Sequence, residues 1–286
     1  MTSNATSEAA APAPGPPDLT QALLRAGLRA EQVRTRAIDR LAYAHDASHY
    51  LLTPQAVVLP HSAADVGLLF RVGAELGLPL TFRSGGTSLS GQAVSDGLLV
   101  DTRRHFRGVE VLGGGGRVRV RPGTTVRAVN AALAPHGRKL GPDPASEAAC
   151  TLGGVIANNS SGMACGTEQN TYRTLESLVL VLPSGSVVDT GAPDADAQLR
   201  ALEPDLHAGL LRLRDRVRSD ADSVRRIRQQ FAMKNTMGYG LNAFLDHDEP
   251  AQLLAHLVVG SEGTLAFVAE ATLRTVPLHA HASIAL

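Results

Sequence analysis

The 286-residue chain has no tryptophan, and aromatic residues make up only 3% of it. Stacking platforms for single-stranded nucleic acid need such side chains at intervals, so they are not expected. No net charge is available either: 27 basic and 27 acidic side chains cancel, which argues against a binder driven by phosphate neutralisation. Cysteine is scarce. Cys150 and Cys165 are too few for a disulfide framework or for the four thiolates of an iron–sulfur cluster. Lys139 and Lys234 are the only lysines, and arginine spread along the chain supplies the remaining positive charge. No apolar run reaches the ~20 residues that cross a bilayer. Neither a Gly-x-Ser-x-Gly elbow nor His-Glu-x-x-His occurs, which removes common hydrolase readings.

What remains is 44% hydrophobic residues, enough for a sizeable core, and 28 glycines whose positions are informative. Residues 1–17 are mostly Ala, Pro, Ser and Gly with one charge, which predicts a disordered tail without the basic start and apolar stretch of a secretory signal. Residues 18–50 read as a helical lead-in. Asp18 is expected to cap a short helix ended by Gly27, and a second helix is expected from Glu31 to about Tyr43. From residue 51 to 108 the pattern is β-α-β-loop-β. Its parts are a strand at 56–59, a helix capped by Ser62 and stopped by Gly77, and strands at 79–82 and 97–101. Residues 109–280 read as α+β with hairpins. Gly113–Gly116 is a hairpin turn rather than a phosphate loop, because an alternating strand follows it. Thr124 is expected to cap a helix through Leu133. A hairpin is expected over 175–189, a helical insertion over about 196–258 with one long helix from Asp205 to about Gln230, and a closing strand over 265–276.

Three segments carry the chemistry. Arg83-Ser84-Gly85-Gly86-Thr87-Ser88-Leu89-Ser90-Gly91 follows a strand; its paired glycines and hydroxyls suit an anion, although a flexible loop fits as well. It is neither a P-loop nor the Gly-x-Gly-x-x-Gly fingerprint. Thr151 to Gly162 has small residues at Gly153, Gly154 and Ala157, followed by Asn158, Asn159, Ser160 and Ser161. Gly260-Ser261-Glu262-Gly263-Thr264 repeats the theme before a strand. Together they suggest one extended ligand between two subdomains. Other clusters read as ordinary structure. His279-Ala280-His281 lacks a third metal ligand. Asp246-His247-Asp248-Glu249 precedes a helix. The Arg212–Arg228 stretch interleaves acids.

In this order, with Asp46-Ala47-Ser48-x-Tyr50 before them and Pro142-Asp143-Pro144 between, the segments resemble FAD-linked oxidases of the vanillyl-alcohol oxidase and p-cresol methylhydroxylase type. Within that type the chain is similar to the D-lactate dehydrogenase and glycolate oxidase branch. Residues 162–174 and Lys234 to Asn242 resemble the long members that fuse an FAD half to a 4Fe–4S half. The resemblance implies an α+β, two-subdomain module with FAD between its parts. It implies cofactor contacts at Arg83, Ser84, Gly85, Gly86, Thr87, Ser88, Ser90 and Gly91, with the Gly85-to-Ser88 loop taking the pyrophosphate. It implies flavin and ribityl contacts at Pro142, Asp143, Ser146, Gly153, Gly154, Ala157, Asn158, Asn159, Ser161 and Gly162. A closing wall would come from Glu262, Gly263 and Thr264, and Lys234 and Asn235 are candidate flavin or substrate contacts. Covalent relatives often carry His where Thr87 stands, so non-covalent FAD is expected, with both cysteines as structural thiols.

The implied reaction is oxidation of a 2-hydroxy acid, D-lactate first, with hydride passing to the flavin and electrons onward to a quinone, a cytochrome or an Fe–S domain. The substrate cap and catalytic residues are expected downstream of Leu286, with 281–286 as the start of that cap; any 4Fe–4S centre would belong to such a missing part. The expected location is the cytoplasm or the inner face of the membrane. Two alternatives stay open: a non-catalytic FAD-binding subunit of a larger redox complex, and an FAD-dependent reductase on the same fold.

Overall fold

The computed structural model describes residues 17–279, so the expected tail before residue 17, the His279-Ala280-His281 pair as a unit and the 281–286 segment lie outside the described residues. Helix α1 (Pro17–Arg25) buries Leu19 and Leu23; Asp18 falls inside it rather than in front of it. The helix expected over 31–43 is instead a 3-10 turn at Ala30–Gln32, strand β1 (Val33–Arg34) and helix α2 (Ala37–Leu41). Sheet pairing overrides the helical pattern there: Val33 pairs with Val58, and the buried Gln32 amide donates to Asp65 Oδ2 at 2.7 Å.

Strand β2 (Ala56–Val58), helix α3 (Ala63–Leu76), β3 (Leu80–Arg83) and β4 (Leu98–Asp101) complete a small sheet ordered β1-β2-β4-β3. Both β2 and β3 run parallel to β4. Ser62 caps α3 by accepting from the Asp65 amide at 3.2 Å, and Gly77 ends it with φ 62°. Strands β2 and β4 are buried at every position, which is why they read as continuous apolar runs.

The large sheet is antiparallel throughout. It begins with the hairpin β5 (Val109–Leu112) and β6 (Arg117–Val120). Helix α4 (Val126–Leu133) is capped by Thr125, whose hydroxyl accepts from Ala128 at 3.2 Å; the hydroxyl of Thr124, the expected cap, donates to Gly108 O instead. Then come β7 (Arg138–Leu140), α5 (Leu152–Asn158), α6 (Thr171–Thr174), β8 (Leu175–Val181) and β9 (Val187–Asp189). Helices α7 (Ala195–Leu202), α8 (Pro204–Ser219), α9 (Ala221–Phe231), α10 (Ala243–Asp246) and α11 (Pro250–Val258) form the insertion. The long helix expected from Asp205 breaks at Asp220, whose carboxylate accepts from the Asp222 and Ser223 amides and so caps α9. Strand β10 (Phe267–Pro277) then enters the middle of the sheet in the order β5-β6-β10-β8-β9, with β7 pairing its far end.

A seam of Val66, Phe106, Val181, Phe267 and Ala269 joins the two sheets. Phe82 of β3 stacks on Phe267 of β10 at 4.9 Å between centroids, and Phe106 meets Phe267 edge-on at 5.1 Å. With Phe70 against Phe82, four of the six phenylalanines gather there. No helix among the described residues is long and apolar enough to cross a membrane, and no group of three or more metal-ligating side chains occurs among them.

Candidate functional site

Beside the seam, a cleft of about 800 Å³ opens between the sheets, a size suited to an organic cofactor. One wall is β3 with the loop Ser84–Ser90. The opposite wall is α5 with Ser146, Cys150 and Thr151, and the Ser261–Thr264 turn with the start of β10 closes one side.

The first loop is held from both sides. Ser84 Oγ accepts from the Gly154 amide at 3.0 Å and also bonds the Thr151 hydroxyl. Gly85 lies so close to the facing segment that a Cβ there would stand 2.6 Å from Ala149 O and 2.8 Å from Cys150 Cα. Gly86 has φ 67°, and its carbonyl accepts from the Ala47 amide at 3.1 Å. The lead-in thus braces the loop. Asp46 accepts from Ser48 N at 2.8 Å and Ala93 N at 3.3 Å. Burial works against its charge, but these hydrogen bonds hold the carboxyl below its usual range.

Arg83 does not line the cleft. Its guanidinium lies behind the loop, over the Tyr43 ring at 5.7 Å, and donates to Tyr43 O and Ala93 O. Nothing in the sequence pattern marked Tyr43 as part of this site, because it lies in a turn 40 residues before its partner and only the tertiary fold brings them together.

The third segment is anchored to the second. Gly260 N donates to Ile156 O at 3.0 Å and Glu262 N to Ala157 O at 2.8 Å. Glu262 sits at φ 53°, a conformation that costs a non-glycine residue about 1–2 kcal/mol, while its Oε1 accepts from Asn158 Nδ2 at 2.7 Å. Ser261 Oγ is buried on the cleft wall with no hydrogen-bond partner.

Of the residues singled out in the sequence, the cleft brings together Ser84, Gly85, Gly86, Thr87, Ser88, Ser90, Ser146, Gly153, Gly154, Ala157, Asn158, Glu262, Gly263 and Thr264. The others stand elsewhere. Gly91 lies under the Tyr50 ring. Asp143 accepts from the Ala164 and Cys165 amides, and its amide donates to Ser161 O at 2.6 Å, so with Pro142 and Gly162 it shapes a turn. Asn159 ends α5 at φ 52° and accepts from Tyr172 N. Lys234 donates to Gly162 O at 3.2 Å, and Asn235 borders a small pocket with Asn159 and Asn242. Cleft residues the motifs did not mark include Phe82, Thr102, Pro122 and Phe267. They come from apolar or strand stretches with no polar signature.

A family model described as an FAD binding domain matches residues 54–191. The chain is 34% identical over 252 residues to a D-2-hydroxyglutarate dehydrogenase of Pantoea ananatis, covering 85% of this chain and 24% of that protein. It is 28% identical to a D-lactate dehydrogenase of Archaeoglobus fulgidus, covering 82% of this chain and 43% of that one. The chain spans about a quarter of the length of the D-2-hydroxyglutarate dehydrogenases it matches. Among solved structures, it shares its fold with an alkyldihydroxyacetonephosphate synthase (TM-score 0.58, 18% identity, 92% of this chain and 41% of that one). It also shares it with 6-hydroxy-D-nicotine oxidase from Arthrobacter nicotinovorans (TM-score 0.55, 18% identity, 84% and 40%).

The cleft suits FAD by its donors. Glycine backbone faces it where side chains would fill it, hydroxyls line the loop, and the Ser261 hydroxyl has a hydrogen bond still to make.

Proposed function

From the premise that this chain carries an FAD binding domain over residues 54–191, in a fold of the vanillyl-alcohol oxidase and p-cresol methylhydroxylase type, we propose that it is the flavin-holding part of a dehydrogenase of short D-2-hydroxy acids, D-lactate first. The observation that carries the reading is the meeting of three distant small-polar segments on one cleft, Ser84–Ser90, Gly153–Asn158 and Ser261–Thr264. The substrate class follows the printed names of the relatives. Bound FAD supplies the two-electron acceptor for hydride from the alcohol carbon.

The chain's own residues hold and orient it. Loop amides and hydroxyls from Ser84 to Ser90 take the pyrophosphate, α5 and Ser146 face the flavin and ribityl part, and Glu262 to Thr264 close the wall. Phe82 and Phe267 exclude water along the seam. FAD is non-covalent in this reading. Thr87 offers no imidazole, and burial pushes the Cys150 thiol up, which leaves little thiolate to attack a flavin carbon. The division into a first subdomain over 51–108 and a second over 109–280 belongs to the same proposal. So does delivery of electrons to a quinone, a cytochrome or an Fe–S domain.

The test is reconstitution of the full chain with FAD, then anaerobic titration with D-lactate and D-2-hydroxyglutarate, followed by visible absorbance. The expected outcome is bound FAD that is released on acid denaturation and stays oxidised with either acid, as a part that holds the flavin without the catalytic residues would leave it. A chain that takes up no FAD overturns the reading. Bleaching by a D-acid but not by its L-enantiomer would extend the reading from holding the flavin to carrying out the oxidation.

A further inference from the structure

Two imidazoles are packed together behind one wall of the cleft. His256 sits in the last turn of α11, and His247 follows α10. Their rings stack at 3.8 Å between centroids, and the Tyr172 ring of α6 meets His256 edge-on at 5.0 Å. His256 is 5% exposed. Its Nδ1 lies 2.9 Å from Gln252 O. A carbonyl only accepts, so Nδ1 donates and the ring is complete as a neutral imidazole.

The charged groups around the pair act in both directions. Asp246 and Asp248 favour its protonation, and Arg173 opposes it. Asp246 Oδ2 accepts from Tyr172, Asn242 and Arg173. From α8, Arg218 donates to Asp248 Oδ1, Phe244 O and His247 O, and Arg214 donates to Asp248 O. At the other end of α11, Asp196 pairs with His207 and accepts from Ala251 N. Burial wins over the two carboxylates and holds both imidazoles below their ordinary value. His247 adds to burial for His256, which falls to about 4.

Two short paths join the pair to the cleft. Along the chain, His256 is followed closely by Val258 and Ser261, both of which line the cleft. Gly260 N and Glu262 N then tie that segment to α5. Across space, a Cβ on Gly240 would stand 3.5 Å from Tyr172 Cε2 and 3.6 Å from His256 O. Its neighbour Tyr239 shares a hydrogen bond of 2.7 Å with the Thr264 hydroxyl. A displacement of α11 therefore reaches the Ser261–Thr264 wall from both ends.

We propose that the His247–His256 stack is an acid-sensitive latch: protonation parts the rings, shifts the end of α11 and loosens the Ser261–Thr264 wall while the rest of the chain stays folded. Its effect on FAD rests on the flavin reading above. Above the ordinary imidazole value near 6.5 the rings are neutral whether the latch is closed or open, and the closed wall is favoured. As pH falls from there toward 4, only the open state takes up protons, so the closed wall and its grip on FAD are lost together.

The experiment measures FAD affinity of the full chain by flavin fluorescence at about pH 7.5 and about pH 5. Hydrogen–deuterium exchange of the FAD-free chain is followed at the same two values, corrected for the intrinsic effect of pH. Wild type, His256→Gln and His247→Gln are compared. An imidazole near 6.5 when open and about 4 when closed limits the effect to roughly 30-fold at about pH 5. The expected wild-type result is FAD affinity lower by about 5- to 30-fold in acid, with protection falling in 250–264 and unchanged in β2 and β4. His256→Gln keeps a donor for Gln252 O and takes no charge, so its acid loss is expected to stay under about twofold. Unchanged affinity and unchanged 250–264 protection in wild type overturn the proposal. So does a wild-type acid loss retained in His256→Gln, and so does protection that falls evenly along the whole chain. Should His256→Gln fail to fold, the half-buried His247 decides: a smaller acid loss in His247→Gln supports the latch, and an equal or larger one overturns it. A wild-type chain that takes up no FAD at about pH 7.5 removes the flavin reading instead, and exchange of the FAD-free chain then decides the latch by the same criteria.

Discussion

The two sheets are built on opposite principles. The small sheet is mostly parallel, with β2 and β4 buried at every position and β3 half-buried, and gives its loop to the cleft from the end of β3. The large sheet is antiparallel, and β6 alternates exposed and buried positions along its length. A parallel sheet needs cover on both sides, so α1 and α3 pack one face while the lead-in crosses near the loop. The antiparallel sheet shares its main core with α4, α5 and the helices of the insertion. The result is a rigid strand end on one side of the cleft and a helix-backed wall on the other. They are tied by a seam of the few aromatics the chain owns.

The strongest way to break this arrangement is at the seam. Phe267 is 4% exposed and touches both Phe82 and Phe106. Phe267→Ala is expected to destabilise the chain by roughly 3–5 kcal/mol in denaturant unfolding, and to weaken FAD binding because the two walls part.

Acid distinguishes the two halves next. In the large half, His256 lies 3.8 Å from His247 in a stacked pair, edge-on to Tyr172, with Nδ1 against Gln252 O and with Asp246 and Arg173 beyond. Burial, reinforced by His247, lowers the His256 pKa to about 4. The unfolded imidazole, near 6.5, binds its proton more readily. Stability is therefore full above about 6.5 and is lost as pH falls toward 4, by roughly 3 kcal/mol. In the small half, burial raises the Asp101 carboxyl, but hydrogen bonds from Arg103 and Tyr43 outweigh it and hold the net value low. Its contribution persists above the unfolded carboxylate value near 3.9 and is lost only below it. Hydrogen exchange across pH is expected to show α11 loosening first, and His256→Gln is expected to flatten that slope.

Gly85→Ala tests the contact between the walls. Its Cβ meets backbone at Ala149 and Cys150, which cannot give as a side chain end would. The expected result is about 1–3 kcal/mol of destabilisation, with FAD affinity falling more than the melting temperature suggests. The smallest effect belongs to the open face of the large sheet. Arg119 pairs with the exposed Glu110 and the half-buried Glu270. Arg119→Ala is expected to change stability by under about 1 kcal/mol and FAD affinity not at all.

Much of this was legible where local pattern and final environment agree. The buried strands β2 and β4 announce themselves as apolar runs, and the caps at Ser62 and Gly77 follow from side-chain chemistry. The broken lead-in was not legible, because Val33 gains its partner Val58 only when the sheet forms. Strand β7 escaped because Arg138 and Lys139 carry charge, and their pairing with β10 is long-range. The break at Asp220 had a signal in Ser219-Asp220, a capping pair inside an Arg-rich helix. Within the cleft, small polar residues stood out, while Phe82 and Phe267 were hidden among ordinary strand residues. Lys234 drew notice as a rare lysine, yet its ammonium is engaged with Gly162 O.

The central claim is that one FAD bridges the two sheets. Hydrogen–deuterium exchange of the full chain with and without FAD tests it most directly. The account predicts slowed exchange in 84–91, in 152–158 and in 260–264 together, with the exposed β5–β6 hairpin unchanged. Protection confined to one sheet, or none in the presence of bound FAD, would contradict it.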